Sequence, residues 1–129
     1  MTDLRDPPVA PVPDWTSGQA AIAYQACAAC RHVWYFHRGF CPRCGDSSVQ
    51  SRIASGRGIV RAVSVVHRAP SEALSKHAPY RLLLVDADEG FRMMGHGREG
   101  VGLGDVVRAE FVEFGGALVP RFLSDDIHE

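Results

Sequence analysis

The four cysteines of the chain fall in two Cys-x-x-Cys pairs, Cys27-Ala28-Ala29-Cys30 and Cys41-Pro42-Arg43-Cys44, ten residues apart. Each pair can bend into a tight knuckle that aims both sulfurs at one centre. Four thiolates at about 2.3 Å then form the closed tetrahedral shell of a structural metal. Gly45 follows the last cysteine and suits a positive φ, which would turn backbone N–H groups toward sulfur. The same residues allow two disulfides, a thioredoxin-like redox pair, or iron in place of zinc. A redox pair would open a helix in a βαβ unit, whereas Pro42 and the aromatic, β-branched flanks favour strands and turns. A structural metal site is therefore expected at Cys27, Cys30, Cys41 and Cys44. Zinc is preferred to iron, although thiolate geometry does not itself separate them. The ten-residue spacer is shorter than in common fingers yet long enough for a hairpin, with Val33-Trp34-Tyr35-Phe36 as one arm.

Cysteines committed to a metal leave no thiol nucleophile, and Ser64, Ser71 and Ser75 have no neighbouring motif to activate them. His67, His77 and His96 are potential general bases, but a histidine at a strand end or in a loop is more often structural or solvated. Asp86 and Asp88, at the end of a strand, are not read as an acid–base pair. A literal Gly-x-Gly-x-x-Gly occurs at Gly95, Gly97 and Gly100. A dinucleotide fingerprint must open a helix inside a βαβ unit, and Gly102 and Gly104 break any helix there.

The 129 residues suit one ordinary domain and a small appendage. Fourteen Lys plus Arg against fifteen Asp plus Glu give a formal charge of −1, so no global basic field draws in nucleic acid. No apolar run approaches the ~18 residues of a membrane span and no signal-peptide core is visible. The cysteine usage then implies a reducing, cytoplasmic setting. Residues 1–23 read as a proline-rich arm, with Pro7, Pro8, Pro11 and Pro13, and a lead-in in which Asp14 caps a short helical turn. Trp15 and Trp34 are expected to cover the small ribbon. Residues 24–48 form the cysteine ribbon, with the boundary near Ser48, and 49–123 the main domain. There, strands are expected at Ile59 to His67, Tyr80 to Asp86, Phe91 to Gly95, Asp105 to Phe114 and Ala117 to Leu123. Residues 69–79 form a loop, and Gly90 closes a hairpin turn. The triple leucine Leu82-Leu83-Leu84 suggests a strand buried on both faces, Pro120 an edge position or bulge, and 124–129 a polar tail. Five strands with glycine-rich turns predict an all-β chain: a zinc ribbon followed by a five-stranded Greek-key barrel of the OB type.

The order of these pieces resembles a known family. The double Cys-x-x-Cys ribbon is followed by Ser55-Gly56-Arg57-Gly58, Val63-Ser64-Val65-Val66-His67-Arg68-Ala69-Pro70, Pro79-Tyr80 and Val85-Asp86-Ala87-Asp88-Glu89-Gly90. With Val101 to Val106 and Pro120-Arg121-Phe122, the sequence is similar to DUF35 proteins from about Tyr24 to Phe122. The resemblance implies a rubredoxin-like zinc ribbon fused to an OB fold. It further implies a non-catalytic accessory subunit that stabilises a thiolase-like protein in a hetero-oligomeric acyl-CoA complex. The catalytic cysteine belongs to the partner, the ribbon braces that partner, and in some members the barrel receives part of the CoA. Arg68, Arg92 and Arg121 are the candidates for the CoA phosphates. The family's helical hairpin before the first knuckle is replaced here by the proline-rich arm. The alternatives are a single-stranded nucleic-acid binder, which would need a basic groove with stacking aromatics, and a stand-alone acyl-CoA thioesterase or hydratase.

Overall fold

The computed structural model describes residues 12–67 and 79–125. Most of the proline-rich arm, the loop containing Arg68 and the last four residues lie outside them. Asp14 caps a single 3-10 turn, Trp15–Ser17, by accepting from the Thr16 N–H at 3.0 Å. The chain then enters a three-stranded antiparallel sheet of β1 (Ala23–Cys27), β2 (Val33–Trp34) and β3 (Val49–Ile53), in the order β2-β1-β3. The expected hairpin within the cysteine spacer is not what forms. Val33 and Trp34 pair back onto Ala26 and Gln25, ahead of the first knuckle, because that knuckle is itself the turn. Val49–Ile53, expected to open the main domain, pairs with β1 over its whole length.

The remaining strands close a barrel: β4 (Arg57–Val66), β5 (Tyr80–Ala87), β6 (Arg92–Gly97), β7 (Val106–Phe114) and β8 (Ala117–Ser124), in the spatial order β4-β5-β6-β8-β7. All contacts are antiparallel except β6–β8, which is parallel. The all-β reading with a five-stranded OB-type barrel holds. Its core gathers Val60, Leu83, Val85, Phe91, Met93, Val101, Val107 and Phe122. Ile22 and Tyr24 from the ribbon side join the same cluster, and the Tyr24 ring stacks on Phe91 at 4.9 Å. Ribbon and barrel thus share apolar burial.

Two sequence expectations need correction. The leucine triplet is buried on one face only: Leu83 and Val85 point into the barrel, while Leu82 and Leu84 are half-buried on its outer wall. A barrel wall has one core face, and side chains alternate across it. Pro120 is fully buried in β8 and faces Phe111 of β7, so an edge holds only locally, on the β6 side of the proline itself. The β6–β8 ladder runs only through Arg121 and Phe122, so the proline ring sits just before it.

The chain is tied down through Asp125. Its N–H donates to the Val106 carbonyl at 2.8 Å, and its carboxylate, 6% exposed, lies between Arg57 and Arg108. Those two arginines are cross-strand partners, an arrangement of like charges that is unfavourable on its own. Asp125→Ala is expected to destabilise the barrel by about 1.5–3 kcal/mol, the range for a charged hydrogen bond. Part of the loss should return when Arg108 is also neutralised. Denaturant midpoints of the single and double variants measure this, and simple additivity would reject the clasp.

Candidate metal centre and barrel-end cleft

The two knuckles interleave. Cys27 Sγ lies 3.6 Å from Cys44 Sγ, and Cys30 Sγ lies 3.6 Å from Cys41 Sγ. All four sulfurs fall within 4.8 Å of one another. A tetrahedron with 2.3 Å metal–sulfur bonds has edges of about 3.8 Å, so the cluster has the size of one metal shell. It is far too open for disulfides, which need about 2.05 Å. Cys27 and Cys41 are buried with Trp34 and Val49, while Cys30 and Cys44 face outward.

Backbone donors stabilise the inner sulfurs. Ala29 and Cys30 point their N–H groups at Cys27 Sγ, at 3.3 and 3.4 Å. Arg43 and Cys44 do the same at Cys41 Sγ, at the same two distances. Gly45 has the expected positive φ, 81°, but its N–H donates to the Cys41 carbonyl rather than to sulfur. Arg31 holds the matching left-handed position in the first knuckle, φ 68°, which no residue preference announces. Burial pushes the Cys41 thiol up. The N–H groups of Cys44 and Arg43 and the thiols of Cys30 and Cys44 outweigh it and bring Cys41 down to about 7. At Cys44 the Asp46 backbone N–H favours the thiolate, but desolvation and the other three sulfurs push it up to about 12. Four thiolates so close repel one another strongly, and a divalent cation relieves that repulsion. The donor set fits a soft or borderline ion such as zinc.

A buried amide positions the ribbon. Gln25, 2% exposed, accepts at Oε1 from Trp34 Nε1 at 2.8 Å and from the Arg38 N–H at 2.6 Å. Its Nε2 reaches Ser51 Oγ at 3.4 Å and His37 Nδ1 at 3.0 Å. With Oε1 already accepting twice, Nε2 donates, so His37 accepts at Nδ1 and carries its proton on Nε2. Sequence reasoning missed Gln25, although a lone polar residue in the apolar run from Ala20 to Cys27 was the available signal.

The three arginines proposed for CoA do not converge. Arg68 lies outside the described residues. Arg92 donates to Asp86 at 2.6 Å and, with Arg61, surrounds that carboxylate. The hydrogen bond from Arg92 holds the Asp86 carboxyl below its ordinary range. Arg121 pairs with Glu110, which Arg98 also approaches. It lines a cleft of about 530 Å³ at one barrel end, together with Tyr80, Arg81, His96, Arg98 and Phe114. Arg92 lines a different cleft, between ribbon and barrel. His96 packs against Tyr80 and Phe114, Ser64 and His67 are exposed, and His77, Ser71 and Ser75 are not among the described residues. Gly95 and Gly97 lie within β6, so the apparent dinucleotide motif belongs to a strand.

Residues 52–112 match the family described as ChsH2, C-terminal OB-fold domain. A DUF35 domain-containing scaffold protein of Methanocaldococcus jannaschii is 37% identical over 70 residues, covering 54% of this chain and 49% of that protein. The chain thus spans about half the length of this curated relative. The solved structure of an Ltp2-ChsH2(DUF35) aldolase matches with a TM-score of 0.68 and 27% identity, over 81% of this chain and 84% of the other. These matches support the DUF35 resemblance of the sequence. A DUF35-family protein of unknown function from Sulfolobus solfataricus shares the fold, with a TM-score of 0.55 and 14% identity over 81% and 76% of the two chains. The chain has no helix among the described residues long and apolar enough to cross a membrane.

Proposed function

We propose that this chain is a non-catalytic accessory subunit of a thiolase-like acyl-CoA enzyme, with structural zinc in its four-cysteine site. The observation that carries the reading is the likeness, over 81% of the chain, to the structure described as an Ltp2-ChsH2(DUF35) aldolase. The name of the archaeal relative, a scaffold protein, points the same way. The residues here also suit the role. The thiols are gathered in one cluster, and Asp86, held toward its charged form, is engaged by arginines rather than free to move a proton. If the subunit also contacts CoA, the favoured place is the barrel-end cleft, where Arg81, Arg98 and Arg121 accompany the rings of Tyr80, His96 and Phe114. Arginine guanidinium groups suit phosphates, and aromatic faces suit an adenine ring.

The test is to purify the tagged full-length protein from its native cells under mild conditions and identify what accompanies it. A thiolase-like protein in fixed ratio is expected, with acyl-CoA turnover by the complex and none by this subunit alone. Turnover by the isolated chain, or no thiolase-like companion, would overturn the reading. Within the complex, Arg121→Ala should raise the acyl-CoA Kd about tenfold or more, as for loss of one charge-assisted contact. Arg92→Ala should leave it unchanged. Unaltered affinity in the Arg121 variant would move CoA binding to the partner alone.

A further inference from the structure

Charge pairing is unevenly divided between the two halves of the protein. In the barrel, Arg57, Arg61, Arg92, Arg98, Arg108 and Arg121 each reach an aspartate or glutamate. In the ribbon, Arg31, Arg38 and Arg43 are exposed, and among the described residues no carboxylate pairs with them. The single acid between residues 24 and 48 is Asp46, whose carboxylate is turned onto the Ser48 N–H at 2.7 Å. The ribbon therefore carries a local positive excess on a chain whose formal charge is −1.

The same region exposes large apolar side chains. Phe36 is 73% exposed and Phe40 53%. Phe36 forms a ridge between two clefts. On one side about 600 Å³ is lined by Trp15, Tyr24, Tyr35 and His37. On the other, about 650 Å³ is lined by His32, Trp34, Arg38, Pro42 and Phe91. The ridge is rigidly mounted. Phe36 packs edge-on against Tyr35 at 5.3 Å, Tyr35 stacks on Phe91 at 5.7 Å, and Phe91 stacks on Tyr24, so the column runs back into the barrel core. Trp15 Nε1 donates to the Tyr35 hydroxyl at 2.8 Å, and Gln25 holds the backbone of Arg38. An aromatic side chain fixed before binding loses little conformational freedom when it is covered, which is the property of an interface anchor.

We propose that the Phe36 ridge, with Arg38 beside it and Arg31 and Arg43 elsewhere on the ribbon, docks onto an acidic protein face that has an apolar notch for the ring. This rests on the accessory-subunit reading and adds which ribbon side chains anchor the partner enzyme and what chemistry that partner must present to them. These cations, which have no carboxylate partner among the described residues, set the sign of the counterpart. The two flanking concavities suit protruding side chains. A nucleic acid would instead need a continuous basic groove, and here Asp14 and Asp86 each line one of the two clefts.

The probe is the thiolase-like protein that accompanies the tagged full-length chain. Phe36→Ala should weaken its binding about 30-fold, as for loss of a hot-spot anchor. Arg38→Glu should weaken it about tenfold at low salt and less at high salt, where surface charges are screened. Metal content and Tm should not change, since both side chains are exposed. Full affinity in both variants, with loss instead in Met94→Asp on the outer barrel wall, would overturn the surface while leaving the partner reading intact. Tight binding of a single-stranded oligonucleotide that Arg38→Glu abolishes would replace the acidic protein with a polyanion and overturn the proposal. Failure to recover any thiolase-like protein removes both this inference and the reading beneath it.

Discussion

Stripping the metal with a chelator, or replacing Cys41 with serine, should unfold the ribbon and loosen the barrel end next to it. The purified protein should carry one zinc per chain. Without it four sulfurs within 4.8 Å of one another have nothing to neutralise them. The cluster around them, Cys27, Trp34, Cys41 and Val49, is too small to hold a fold by burial alone. Structural zinc contributes on the order of 10 kcal/mol in finger peptides, more than such a core supplies. The barrel should not escape, because Ile22 and Tyr24 leave its core when β1 loses its sheet. Limited proteolysis should first cut between residues 24 and 53, with Tyr24 fluorescence and the β6 amides changing in the same transition. A metal-free protein with titratable thiols and unchanged protease resistance would remove the site from the account of this fold.

The cysteine spacing exposed the candidate metal site because such a cluster needs few residues at fixed separations and little else. The strands of the barrel were legible for a related reason: alternation and turn glycines act locally, as at Val107 in β7 and at Gly90, whose φ is 104°. What stayed hidden depends on contacts distant in sequence. That β2 would pair with β1, and β3 with β1 on its other side, follows from the knuckle closing as a turn, which no period in the sequence encodes. Arg31 takes a left-handed φ without being glycine, because the tight turn in which its N–H meets the Cys27 carbonyl overrides residue preference. Asp125 looked like part of a polar tail, yet it becomes buried once barrel closure sets Arg57 against Arg108. Phe36 read as one more apolar strand residue. Its exposure appears only when Tyr35 takes the inward place against Phe91 and the strand ends at Trp34.

The glycines of β4 and β6 give the other large expected effect. Gly95 and Gly97 are there because Phe122 and Leu83 occupy the space where their side chains would be. A Cβ on Gly95 would lie 2.6 Å from Phe122 Cε2, and one on Gly97 2.8 Å from Leu83 Cγ. Neither glycine needs a positive φ, so the constraint is packing inside the closed barrel. Gly95→Ala should destabilise by about 1–3 kcal/mol, the usual range for overpacking a dense core. Phe122→Leu alone should also destabilise, since it trims a ring that is fully buried. Combined, the two should cost less than their sum, because the smaller side chain vacates the volume the new methyl needs. Gly58→Ala should behave differently. Its added carbon would meet the Asp86 carbonyl oxygen as well as Val85 Cγ1, and a main-chain oxygen in the β4–β5 ladder cannot be trimmed by mutation. This variant should lose at least as much as Gly95→Ala, and Val85→Ala should not restore it. Urea midpoints for the five variants measure the pattern. Strict additivity of Gly95→Ala with Phe122→Leu, or full rescue of Gly58→Ala by Val85→Ala, would show that these glycines are not set by barrel closure.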